Sequence, residues 1–251
     1  QLGNVHGAPW VVWYAVAIMT MIGNNLQRVH ARMAAACADA GRAAADVQLL
    51  AVSKTFDADA VREAAAAGQT AFGENYIQEA VAKIQALQGL GLVWHCIGPV
   101  QSNKSRLVAE HFDWVHTVDR LKLAERLSAQ RPAHLPPLNV CIQANIDGGA
   151  TKSGVAPADV AALAQAVVGL PGLRLRGLMT IPDIAPDFAA QCAVHTGARV
   201  LFDAVKAGLS AGHAADFDTL SMGMSADLEA AIRCGSTLVR VGTAIFGGRV
   251  A

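Results

Sequence analysis

Residues 47–67 read VQLLAVSKTFDADAVREAAAA: an apolar run over 47–53, closed by Lys54 and Thr55 and followed at once by an Ala-rich amphipathic stretch over 58–67. The run is apolar throughout instead of alternating, as expected of a parallel strand covered on both faces. Its turn discriminates between two α/β architectures. A doubly wound open sheet usually places G-x-G-x-x-G after its first strand, and here that position reads Ser53-Lys54-Thr55-Phe56-Asp57.

The same unit recurs along the chain. Further strands are expected at 70–73, 92–97, 114–118, 139–145, 173–180, 218–222 and 237–241. Helical stretches lie at 76–87, 103–111, 121–130, 157–168, 188–209 and 226–234, with one more ahead of the first strand at 23–40, ended by Gly41. Eight strand-helix units in 251 residues fit a single-domain TIM (β/α)8 barrel, with its active site where strands end and helices begin. Composition shows no break after residue 22, so 23–251 is read as one domain.

Twenty basic and twenty acidic residues cancel, so no net field would draw the chain to nucleic acid or to an anionic membrane. The five cysteines (Cys37, Cys96, Cys141, Cys192, Cys234) are odd in number and form no C-x-x-C pair. Buried thiols in a reducing, cytoplasmic setting are expected instead of disulfides or zinc. The apolar run over 9–22 is shorter than the about 20 residues of a bilayer span, and no Lys or Arg precedes it as in a signal peptide. Residues 1–22 are read as an extension outside the fold. With no exposed apolar stripe evident after residue 22, a monomer is expected.

Lys54 stands at the rim of the first strand. An ammonium prefers water, so a site that partly desolvates it either neutralises it or uses it as an amine nucleophile. Its obvious covalent partner is an aldehyde, and pyridoxal phosphate is the common biological one; a strand-end lysine that snorkels to solvent is the alternative. At the other end of the chain, the strand at 237–241 runs into Gly242-Thr243, where backbone N–H groups and a hydroxyl can approach an anion. The preceding strand leads into Ser221-Met222-Gly223-Met224-Ser225, and Ser225 is expected to N-cap the next helix and turn toward the same anion. Arg240 sits inside an apolar strand and must find a partner there, either a structural carboxylate or a ligand atom.

These segments resemble the pyridoxal phosphate homeostasis family, also described as alanine-racemase N-terminal-like proteins. The matching stretches are Ala51-Val52-Ser53-Lys54-Thr55, Phe72-Gly73-Glu74-Asn75-Tyr76, His95-Cys96-Ile97-Gly98-Pro99-Val100-Gln101-Ser102-Asn103-Lys104, Thr151-Lys152-Ser153-Gly154, Gly177-Leu178-Met179, Ser221-Met222-Gly223-Met224-Ser225 and Arg240-Val241-Gly242-Thr243. The resemblance implies a fold-type III barrel without the racemase β-domain, binding pyridoxal 5'-phosphate. It implies Lys54 as the Schiff-base lysine. Ser225, Gly242 and Thr243 would hold the phosphate, with Ser221 counted beside them. Arg240 would face the pyridine nitrogen, and Asn75 would line the ring side. The stretch Asp147-Gly148-Gly149-Ala150 is more Gly-rich than the family's usual, more acidic version.

Other features suggest less. Gly148-Gly149-Ala150-Thr151-Lys152-Ser153 lacks the P-loop spacing, so ATP binding is rejected. The eight histidines show no metal-binding spacing, and His95 reads as a satisfied core residue. Glu74 reads as a hydrogen-bond anchor. The resemblance favours a cofactor carrier that buffers pyridoxal phosphate and delivers it to apo-enzymes. An amino-acid racemase remains the alternative, and it would need a second acid-base group beside Lys54, with Tyr76 a candidate.

Overall fold

The computed structural model describes residues 20–148, 153–183 and 185–248. Eight strands, β1 (Gln48–Val52), β2 (Ala71–Glu74), β3 (Val93–Cys96), β4 (Trp114–Val118), β5 (Leu138–Gln143), β6 (Leu173–Met179), β7 (Thr219–Ser221) and β8 (Leu238–Val241), close in sequence order into a barrel. Every pairing is parallel, and β1 pairs with both β2 and β8. Around them lie α1 (Met21–Asp39), α2 (Ala58–Ala66), α3 (Ile77–Ala86), α4 (Ser105–His111), α5 (Leu121–Gln130), α6 (Pro157–Val168), α7 (Phe188–Gly208), α8 (Ala211–Asp216), α9 (Leu228–Arg233) and α10 (Thr243–Phe246). The expected barrel is the observed one.

The main core lies between sheet and helices, with Phe72, Phe112, Leu127, Ile142 and Phe217 fully buried there. A smaller cluster, Leu50, Val52, Ala71, Ile97 and Leu238, fills one side of the barrel interior. The two-residue period of β1 explains the split: Leu49 and Ala51 join the outer core while Leu50 and Val52 join the inner one. Beside this cluster the interior carries the buried polar side chains His95, His116, Ser221 and Arg240, with Arg240 in register with Leu50 and Ser221 with Leu238.

The fold begins earlier than residue 23. Thr20 caps α1 by accepting from Gly23 N at 3.1 Å, and Ile22, Leu26, Val29 and Met33 form its buried stripe. Arg32 of α1 forms a bidentate pair with Glu229 of α9, and Asn25 Nδ2 donates to Ile245 O of α10 at 2.9 Å. The expected extension is otherwise outside the described residues, as are residues 149–152 of the Gly-rich loop. Among the described residues, no helix is long and apolar enough to cross a membrane, and all five cysteines are free.

Two short helices, α8 and α10, were not expected from periodicity, since neither is long enough to show one. Helix α9 starts at Leu228, two residues later than expected. The delay has a local cause: Asp227 Oδ1 accepts from Met224 N at 2.6 Å, and Asp227 N donates to Met224 O at 3.2 Å, which holds 224–227 as a turn. Gly223 enters that turn at φ +92°, and a Cβ there would lie 2.4 Å from the Ala231 methyl.

A lysine pocket at the barrel mouth

At the C-terminal ends of the strands, a cavity of about 380 Å3 is lined by Lys54, Asn75, Ser225, Arg240, Gly242 and Thr243, with Val52, Ile97, Ile181 and Met224 among its apolar walls. Six of the seven residues picked from the sequence thus share one pocket. Each lies at or just beyond a strand end, where parallel strands point their loops at a common mouth.

Ser221 is the exception. Its side chain is fully buried and points into the barrel, where its Oγ accepts from Arg240 Nη1 at 2.7 Å and lies 3.0 Å from His116 Nδ1. It is not among the residues that line the pocket. Ser225 does line the pocket, though not as a helix cap, because the turn ending at Asp227 separates it from α9. Arg240, 4% exposed, is held by neutral oxygens and not by the structural carboxylate that was one of its expected partners. Its Nη1 also donates to Ser221 O at 2.8 Å and its Nη2 to Thr180 O at 2.8 Å. Neutral acceptors thus hold the guanidinium, and burial lowers its pKa to about 10.

The loop carrying Lys54 is anchored from below by a residue that the sequence reading missed. Lys83 of α3, 5% exposed, donates to Ser53 O and Phe56 O, both at 2.9 Å, and pairs with Glu79 at 2.8 Å and Glu74 at 2.6 Å. Ser53 Oγ donates to the same Glu74 oxygen at 2.6 Å, so Glu74 is the anchor it was read to be. Burial pushes the Glu74 carboxyl upward, and the charge and hydrogen bonds of Lys83 and Ser53 pull it back. Glu79 also accepts from Thr55 N at 2.8 Å, and Thr55 is held at φ +69°, which is uncommon outside glycine. On the far side, Phe56 stacks on Phe246 of α10 with ring centroids 5.0 Å apart, joining the Lys54 loop to the Gly242-Thr243 turn. A signal for Lys83 was present: Ile77, Ala80 and Lys83 recur at helical spacing on the buried face of α3.

Asn75 is placed by close backbone contact. A Cβ on Gly98 would sit 2.4 Å from Asn75 O, so only glycine lets the loop after β3 press against this residue. Asn75 Oδ1 is buried and lacks a protein partner, an acceptor at the pocket edge suited to a ligand donor. Asn75 also borders a larger groove of about 650 Å3, lined with Tyr76, Gln101 and Lys104. Tyr76 belongs to that groove and not to the Lys54 pocket.

The turn bearing Ser225 hangs on Asp227, whose Oδ2 lies 2.9 Å from His195 Nε2 of α7. Burial by itself would raise the Asp227 carboxyl, but the His195 and Met224 contacts outweigh it and hold the group below its ordinary value. A depressed carboxylate contributes stability above its unfolded pKa of about 4 and loses it as pH falls through the folded value. Asp227→Ala is therefore expected to lower stability by about 1–3 kcal/mol near neutrality, and the gap to wild type should close in acid. Urea melts of both proteins at pH 7 and pH 3 check this. An undiminished gap at pH 3 would contradict the ionised anchor.

An amine, a hydroxyl, a Gly-Thr turn and a buried guanidinium share the wall of one cavity at the barrel mouth. Among the described residues, no cluster of metal-ligating side chains is present. The chain belongs to the family described as alanine racemase, N-terminal domain, which it matches over residues 25–250. It is 58% identical over 231 residues to the pyridoxal phosphate homeostasis protein of Pseudomonas aeruginosa, covering 92% of this chain and 97% of that one. PipY of Synechococcus elongatus, solved with pyridoxal phosphate bound, superposes with a TM-score of 0.76 at 37% identity, covering 90% of this chain and all of PipY. Alanine racemase from Corynebacterium glutamicum shares the fold, with a TM-score of 0.65 at 18% identity over 93% of this chain and 62% of the racemase.

Proposed function

We propose that this chain binds pyridoxal 5'-phosphate in the Lys54 pocket and serves pyridoxal phosphate homeostasis in the cytoplasm, as a monomer that buffers the cofactor and delivers it to apo-enzymes. The observation that carries the reading is the gathering of Lys54, Ser225, Arg240, Gly242 and Thr243 around one cavity. Lys54 holds the cofactor's aldehyde carbon as a Schiff base. Ser225 and the Gly242-Thr243 turn take the phosphate. Arg240 donates toward the pyridine nitrogen and Asn75 flanks the ring. When bound, the cofactor supplies an electrophilic carbon and an electron-accepting ring.

The pocket itself favours a carrier over a racemase. Among the described residues that line it, Lys54 is the one side chain suited to moving a proton at neutral pH. Racemisation needs acid-base groups on both faces of the reacting carbon, and Tyr76 is half-exposed in the neighbouring groove. An arginine donor cannot give the ring nitrogen a full proton, which weakens the ring as an electron sink.

The test is the visible spectrum of the purified protein with cofactor, before and after borohydride, combined with incubation with L-alanine in deuterated buffer. A reducible chromophore, slow exchange at Cα and negligible D-alanine are expected. Sustained racemisation at roughly 1 per second or faster would overturn the carrier reading in favour of an enzyme.

A further inference from the structure

A chain of hydrogen bonds crosses the barrel interior behind the pocket. Arg240 Nη1 donates to Ser221 Oγ at 2.7 Å, Ser221 Oγ lies 3.0 Å from His116 Nδ1, and His116 Nε2 lies 2.9 Å from His95 Nδ1. The four residues come from β8, β7, β4 and β3, and none is more than 4% exposed. Chemistry orders the protons. A guanidinium has only donors, so Ser221 Oγ accepts from Arg240 and its own proton is available to His116 Nδ1. With the Ser221 proton directed there, His116 would carry its own proton on Nε2 and give it to His95 Nδ1. That places the proton of His95 on Nε2.

Packing by itself does not account for this arrangement. His95 Nε2 is buried with no protein partner, which is unfavourable for a polar group of this kind. The His95 ring stacks on Trp114, with centroids 5.1 Å apart and an interplanar angle of 9°, a contact that a phenylalanine would also make. Burial keeps both imidazoles neutral: His95 is lowered to about 3, and His116 is lowered well below its usual value by burial and then by its neighbours His95 and Arg240. The relay therefore brings no counter-charge to Arg240 and supplies direction alone.

We infer that Ser221, His116 and His95 are positioning residues that lock one edge of the Arg240 guanidinium to the barrel interior and so fix how it presents its remaining donor face to the ring of a bound cofactor. This rests on the reading of the Lys54 pocket as the cofactor site. Fixing the proton order keeps Ser221 from competing with Arg240 as a donor, because its single proton is committed to His116. The relay spans four strands, so the guanidinium is oriented by the barrel as a whole and not by its own strand.

Two measurements test the inference. Imidazole 15N shifts of the cofactor-free protein are expected to show both His95 and His116 neutral and protonated on Nε2 across the pH range in which the protein is folded. A proton on His116 Nδ1 would overturn the order. The second measurement compares the absorption maximum and cofactor affinity of wild type with His116→Phe, which removes the acceptor, and His116→Asn, whose amide oxygen can replace Nδ1. His116→Phe should move the absorption maximum and weaken binding about tenfold, while His116→Asn stays within about twofold of wild type. Ser221→Ala interrupts the same chain with a smaller change of volume and should match His116→Phe, so a misfolded phenylalanine variant leaves the test intact. An unmoved absorption maximum in Ser221→Ala overturns the positioning role. A wild-type protein with no reducible chromophore defeats the reading of the cofactor site instead, while the 15N result still decides the proton order.

Discussion

Lys54→Ala is expected to abolish the borohydride-fixed adduct with pyridoxal phosphate while leaving the fold intact. The side chain is half-buried at a pocket wall and belongs to neither hydrophobic cluster, so its loss leaves no apolar void. The groups proposed to hold the phosphate, Ser225, Gly242 and Thr243, and those proposed to face the ring, Arg240 and Asn75, remain in place. Binding should therefore persist in a weaker, fully reversible form, lower by at least about a hundredfold, or ~2.7 kcal/mol, once the covalent bond is lost. Reduction followed by peptide mapping reads the result directly. A reduced pyridoxyl adduct on another lysine in this variant, Lys104 of the neighbouring groove or Lys152 for example, would refute the site.

Most of the architecture was legible because the signal is repeated. Eight apolar runs, seven of them followed by a helical period, leave little choice of fold, and β4, α5 and α6 fall on their expected residues. The pocket was legible for a related reason: Lys54, Asn75, Ser225, Gly242 and Thr243 all follow a strand end closely, and parallel strands bring such positions to one rim. Arg240 was singled out because an arginine in an apolar strand needs a partner. What the sequence did not disclose lies across strands. The one-dimensional pattern placed Ser221 beside Ser225, but β7 turns it inward, and its partners are 105 and 19 residues away in the chain. The pairing of His95 with His116 depends on β3–β4 register, in which His95 lies opposite Trp114 and His116 follows on the same inward face. His95 was read as satisfied, and only its Nδ1 is.

Lys83→Met is expected to have the largest effect on stability of any change outside the pocket. Methionine keeps the buried stem but removes an ammonium that faces four oxygens, and it leaves the fully buried Glu74 with Ser53 as its remaining donor. Breaking a buried pair from one side costs about 3–5 kcal/mol, because the surviving charge is uncompensated. The direction of the pH dependence follows from Glu74. Its folded pKa is already raised by burial, and losing Lys83 raises it further. A carboxyl raised in this way contributes stability below its unfolded pKa and loses it as pH rises through the folded value. The variant should thus be penalised more at pH 8 than at pH 5 in denaturant titrations.

Adding Glu74→Gln removes the stranded charge, and most of the lost stability should return. The tethers to Ser53 O and Phe56 O should not return, and these hold the strained turn at Thr55 that presents Lys54. The double variant is therefore expected to melt near wild type yet bind cofactor about tenfold more weakly. Wild-type affinity in that protein would show that Lys83 serves the fold alone and that the Lys54 loop needs no support from α3.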